Sequence, residues 1–200
     1  MPHHETRRTN PLCCAAVFLL AVLVFASPCL ALDLPRVRPP EWGQSIINTK
    51  VENFFKVDDK VYRSAQPCGS GMKEIESMGM KNVLSLRHYF GDEDEAEGTQ
   101  LKLFRVKMEA SEIRDEEVIR ALRIIRESEG PILVHCWFGS DRTGCIIALY
   151  RIIEQDWSKE QAIDEMVHGG YGFRSRFDNI IRYIKDANTA KIREQLAAPE

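Results

Sequence analysis

His135 and Cys136 are adjacent, five residues separate Cys136 from Arg142, and Thr143 follows. A thiolate is a strong nucleophile, and the planar fork of a guanidinium matches two oxygens of a phosphate group. Both are useful only if the chain brings them around one anion, and only if positive potential there favours thiolate over thiol.

The flanking residues supply that arrangement. Ile132, Leu133 and Val134 form an apolar run that reads as a buried strand ending at the His-Cys pair. A short loop containing Gly139 follows, then Arg142-Thr143-Gly144 and the apolar helical run from Cys145 to Ile153. In a strand, tight loop and helix start, the loop N–H groups and the helix N-terminus can all point at one anion.

These residues, His-Cys, five residues, Arg and then Thr, resemble the signature of the cysteine-dependent protein-tyrosine and dual-specificity phosphatases. Tyr62-Arg63-Ser64-Ala65-Gln66-Pro67 resembles the opening of the atypical dual-specificity members. The resemblance covers roughly residues 54–186. It implies a Cys136 nucleophile, a phosphocysteine intermediate and an Arg142 that stabilises the transition state. It also implies that Trp137, Phe138, Gly139, Ser140, Asp141 and Arg142 bind the phosphate, that His135 orients the loop and that the Thr143 hydroxyl bonds the thiolate. No cofactor and no metal are expected.

The leaving oxygen needs a proton donor. In the family it is usually an Asp on a separate upstream loop. The matching region here, residues 108–115, offers Glu109, Glu112 and Asp115 and departs from that pattern. Gly139-Ser140-Asp141-Arg142-Thr143 resembles the myotubularin version of the loop, where an acid inside the loop has that role. Asp141 is therefore placed slightly ahead as the acid, with a bracing role as its alternative.

The chain has 200 residues and a formal net charge of -3, with no basic excess to suggest nucleic acid. Arg7 and Arg8 precede an uncharged stretch from Thr9 to Leu32. That layout suits a secretory signal cleaved after Ala31, giving an exported, periplasmic or secreted protein. Uncleaved, residues 12–32 would be a membrane anchor. The mature chain would keep Cys68, Cys136 and Cys145. Cys145 reads as core, and Cys68 as a loop thiol or a redox partner of Cys136.

Residues 32–53 read as a linker or N-terminal extension, 54–190 as the catalytic domain and 191–200 as a tail. A hairpin is expected across Asp58-Asp59-Lys60, and a helix from Gly71 to Met78 ended by Gly79. Asp92-Glu93-Asp94-Glu95 with Glu97 reads as a solvated helix start. Asp115 is expected to cap a helix to Ser128 whose Arg120, Arg123 and Arg126 face solvent. Ser158 and Gln161 should form a capping box. Gly170 to Arg174 reads either as a segment covering the site or as a plain interhelical loop. Alternating strands and helices give an α/β fold, a central mostly parallel sheet with helices on both faces.

The leading functional reading is a phosphomonoester hydrolase acting on phosphotyrosine or dual-specificity protein substrates. The alternative is an inositol phosphate or phosphoinositide phosphatase. A non-catalytic phosphate-binding module and a sulfurtransferase are further readings, disfavoured by the His-Cys and Arg-Thr pairs. A membrane partner follows only if the N-terminal segment is retained.

Overall fold

The computed structural model describes residues 37–198. The expected signal or anchor segment, residues 1–31, lies outside them. The strands are β1 (Gln44–Ser45), β2 (Phe55–Lys56), β3 (Val61–Ser64), β4 (Asn82–Ser85), β5 (Lys102–Arg105) and β6 (Ile132–His135). The helices are α1 (Gly69–Ser77), α2 (Asp115–Glu127), α3 (Asp141–Glu154), α4 (Lys159–His168), α5 (Asp178–Asp186) and α6 (Thr189–Ala197). One sheet runs in the order β1-β2-β3-β6-β4-β5. The four strands β3, β6, β4 and β5 are parallel, and the β1 and β2 edge is antiparallel.

Strand β6 is central, and its side chains are buried on both faces, which is why it reads as an unbroken apolar run. Ile132 and Val134 face one side, in a core with Val118 and Leu122 of α2, Ile146 and Leu149 of α3, Met166 of α4 and Ile180 of α5. Leu133 faces the other side with Val83, Phe54 and, from α1, Met72 and Ile75. The helices are thus split unequally between the two faces. Register places Ser64 and Ser85 on either side of His135, so the end of β6 opens between two neighbouring strand ends. This is where parallel α/β sheets leave a crevice.

Several expectations hold in detail. The hairpin forms across Asp58, whose Oδ1 accepts from the Lys60 and Val61 N–H groups. The Ser158–Gln161 capping box is complete, and Gly79 takes φ +92° after α1.

Others are corrected. Residues 37–53 are no plain linker: Trp42 and Val51 are buried and β1 joins the sheet. Residues 191–200 are no plain tail, because α6 buries Ile192 and Leu196. Arg123 and Arg126 of α2 reach the last carbonyls of α6, donating to Gln195, Ala198 and Leu196 oxygens, and so compensate the negative end of its dipole. Arg114, not Asp115, precedes the first turn of α2, and Asp115 Oδ1 accepts from the Tyr183 hydroxyl at 2.7 Å. The acidic run after Gly91 forms turns rather than a helix, and its first carboxylate points inward.

Candidate active site

The loop from Cys136 to Ser140 has its carbonyls pulled outward. His135 Nδ1 lies 3.1 Å from the Cys136 oxygen. The Gln66 N–H donates to the Trp137 oxygen at 3.1 Å, Asn53 Nδ2 to the Phe138 oxygen at 2.8 Å, and Arg63 Nη2 to the Gly139 oxygen at 2.6 Å. A peptide whose C=O faces out turns its N–H in. The N–H groups from Trp137 to Arg142 find no acceptor among the described residues. Ser140 precedes α3 but does not cap it: its hydroxyl donates instead to the Tyr171 oxygen at 2.8 Å. Orphan donors of the loop and of the helix start therefore face one concavity, with Cys136 at its base. Gly139 permits the tight turn, since its φ is +70° and a Cβ there would sit 2.3 Å from the Ser64 carbonyl oxygen.

The remaining signature residues gather around this cradle. Cys136 is buried, 2% exposed. His135 is fully buried and donates from Nε2 to Asp92 Oδ2 at 2.8 Å. Burial works to raise the Asp92 carboxyl, but the His135 hydrogen bond and charge, with Gln66 and Arg87, outweigh it and hold the group below its usual 3.8. Arg142 Nη1 donates to the Leu86 and Met108 oxygens at 3.1 and 3.2 Å, which fixes the guanidinium between two loops. Its Nε and Nη2 have no protein acceptor among the described residues and are free for an oxyanion. Thr143 Oγ1 is buried without a hydrogen-bond partner, so the expected bond to the Cys136 sulfur is not formed in this state.

Asp141 does not fit the acid role. It is buried, Oδ1 accepts from the Arg174 N–H at 3.1 Å, and Oδ2 accepts from Arg174 Nε at 2.9 Å and from Arg174 Nη2. A carboxylate held on both oxygens by a guanidinium and an amide braces the loop, and neither oxygen is left free to face a leaving group. The segment from Gly170 to Arg174 is likewise no cover. Tyr171 is buried behind the loop, and Arg174 both holds Asp141 and stacks on Phe138.

Among the upstream acids, Glu112 pairs with Arg114 on the surface, and that hydrogen bond lowers its carboxyl. Asp115 is turned toward Tyr183. Glu109 alone directly follows a residue bound to Arg142, and its Oε1 lies 3.1 Å from His88 Nδ1. The side chains of Trp137 and Phe138 are about half exposed and form the rim, over Arg87 and Arg174. Cys68, Cys136 and Cys145 are all free thiols. Cys68 is exposed ahead of α1, where hydrogen bonds from Ser70 and Gly71 lower its thiol, while burial pushes the Cys145 thiol up.

Sequence reasoning missed the inward turn of Asp92 and left Arg63 open. Neither breaks a periodic pattern: Asp92 opens a run of like charges, and Arg63 sits in a strand between two polar neighbours.

Cradle, nucleophile and arginine on a parallel sheet define a cysteine-dependent phosphatase, and the chain belongs to the tyrosine phosphatase family, whose profile matches residues 49–195. Among relatives, the dual specificity protein phosphatase TpbA of Pseudomonas aeruginosa is 31% identical over 198 residues, 96% of this chain and 88% of that protein. Its crystal structure superposes with a TM-score of 0.73 at 30% identity, covering 81% of this chain and all of that one, and a variant of it has been solved in complex with phosphotyrosine. The inositol diphosphatase SIW14 of Saccharomyces cerevisiae is 32% identical over 136 residues, 60% of this chain and 47% of that protein. The catalytic domain of that relative superposes with a TM-score of 0.62, covering 75% of this chain and 93% of that one.

The Asp92–His135 pair predicts a measurable pH effect. A carboxyl lowered by the fold stabilises at pH values above its unfolded value, and this contribution is lost as pH falls through the lower folded value. Asp92→Asn should cost about 1–3 kcal/mol at pH 7. The gap to the parent protein in urea denaturation should close as pH drops below about 4.

Proposed function

We propose that this phosphatase hydrolyses phosphotyrosine and dual-specificity protein substrates through a Cys136 phosphoenzyme. The observation that carries the reading is the set of inward N–H groups between Cys136 and the two unengaged donors of Arg142. Thiolate Cys136 attacks phosphorus; the S–P bond forms as the bond to the leaving oxygen breaks. The cradle and Arg142 hold the three equatorial oxygens, where charge is spread. Water then attacks the phosphocysteine, releasing inorganic phosphate and restoring the thiolate.

The surroundings favour a protein substrate over a polyanion. At the rim, Arg174 pairs with Asp141 and Arg87 lies 3.7 Å from Asp92, so the charge of these two side chains is answered by acids. A cavity of about 500 Å³ adjoins the rim at Trp137 and Phe138, and the two charged residues lining it, Glu52 and Glu95, are acidic. The likeness to SIW14 favours a second reading, an inositol phosphate substrate. Phosphate release from phosphotyrosine peptides, phosphoserine peptides, phosphoinositides and inositol polyphosphates separates the two. Highest kcat/KM is expected on phosphotyrosine peptides, and Cys136→Ser should abolish turnover; a preference for inositol polyphosphates would overturn the assignment.

Glu109 is assigned as the proton donor. It gives its proton to the leaving oxygen and takes one from the attacking water. Glu109→Gln should slow phenyl phosphate by about 100-fold or more and p-nitrophenyl phosphate much less, because a better leaving group needs less protonation. Equal losses on both would sink this role.

The basic, then apolar, then small-residue layout of residues 1–31 supports export with cleavage after Ala31. N-terminal sequencing of the protein recovered from a secreting host should begin at Leu32; an intact Met1 would leave the anchor reading.

A further inference from the structure

Arg63 lies on β3, outside the signature. It is 1% exposed and among the largest fully buried side chains. Its guanidinium stacks on the Tyr171 ring at 3.6 Å and donates through Nη2 to Gly139, while Nε has no partner. Among the described residues it forms no ion pair. Glu165, the acid whose charge acts on it, is already engaged: it accepts from Arg151 Nε and Nη2 at 2.8 and 3.0 Å, from the Gly43 N–H and from the Tyr171 hydroxyl. A buried charge persists only where something of opposite sign answers it.

The other neighbours make that demand sharper. A Cβ on Gly144, in the first turn of α3, would lie 3.9 Å from Arg63 Nη2, so the cation sits beside a positive helix end. The loop N–H groups and Arg142 are positive as well. Burial lowers the Arg63 guanidinium, and Tyr171, Glu165 and Cys136 act against that, with Arg151 acting in the same sense as burial. Register pairs Arg63 with Val134, two residues before Cys136, and its hydrogen bond to Gly139 sets it directly behind the loop that holds this free, buried sulfur.

We propose that Arg63 is a positioning residue whose buried charge is balanced by the Cys136 thiolate, so that the back of the cradle, and not only Arg142 at its front, holds the nucleophile ionised. This rests on the phosphoenzyme reading and extends it to a residue the signature does not include. Arg63 touches neither substrate nor phosphate and acts through Gly139 and through its field. It also gives a reason for the chain to keep an unpaired cation in its core: the compensating anion is the reactive group.

The test separates charge from shape. In a Cys68→Ser background, which removes the exposed thiol, the rate of iodoacetamide alkylation of Cys136 is followed against pH for Arg63→Gln and Arg63→Lys. Gln carries no charge and ends where the arginine Nε lies, short of the Gly139 oxygen; Lys keeps the charge without the fork, so a parent midpoint in Lys assigns the effect to charge. The alkylation midpoint should rise by about one pH unit or more in Arg63→Gln, with kcat reduced at neutral pH and recovered toward alkaline pH. Arg63→Lys should keep the parent midpoint. A folded Arg63→Gln with an unchanged midpoint overturns the proposal, even if its activity is low. Should Arg63→Gln fail to fold, Arg63→Lys decides: parent midpoint with kcat/KM within tenfold supports the charge role, and any other result overturns it. Loss of hydrolysis in every variant, including the Cys68→Ser parent, would instead count against the phosphoenzyme reading, since alkylation does not require turnover.

Discussion

The structure depends on keeping a row of peptide N–H groups unsatisfied on the inside of one short loop. Buried amides without acceptors are costly, and a free chain would relax to pair them. Here the carbonyls of Trp137, Phe138 and Gly139 are each held from outside by a donor elsewhere in the chain: Gln66 after β3, Asn53 before β2 and Arg63 on β3. With the carbonyls held, the N–H groups have nowhere to turn but the concavity. The cost is offset when an oxyanion or thiolate fills the cradle, so the fold stores its binding capacity as unmet hydrogen bonding.

That arrangement explains why supports come from so many places in the chain. Tyr171 accepts the Ser140 hydroxyl and the Asn53 amide through one carbonyl, covers Arg63 with its ring and gives its own hydroxyl to Glu165. Glu165 in turn fixes Arg151 on α3 and the Gly43 amide next to β1. The extension before the sheet, the helix behind the loop and the segment after α4 are thereby tied to the same few peptide groups. Replacing one of these polar links with an apolar group would loosen the loop before it loosened the core.

What was legible in the sequence was local and periodic. The apolar run of β6, the helical run of α3, the hairpin at Asp58 and the Ser158 capping box follow from neighbours in the chain, and they place Cys136 and Arg142 correctly. What was not legible depends on partners far away. The part played by Asp141 is decided by Arg174, and the inward turn of Asp92 by the histidine that ends β6. Spacing within the loop matched a family in which that position is an acid, and spacing carries no information about which cation will claim the carboxylate. Helix α6 was missed for the same reason: two apolar residues on one turn are a faint signal, and the arginines that complete its last turn come from α2.

The pairing of charges at the mouth has a kinetic meaning. Arg174, Arg114 and Arg87 each have an acid beside them, and the chain as a whole is slightly acidic. Such pairs project little field beyond a Debye length and add little to the attraction of anions from solution. Collision frequency with a phosphorylated partner should then vary little between dilute and concentrated salt. Selection then occurs after contact, when a single phosphoryl group sheds its water and enters the pocket.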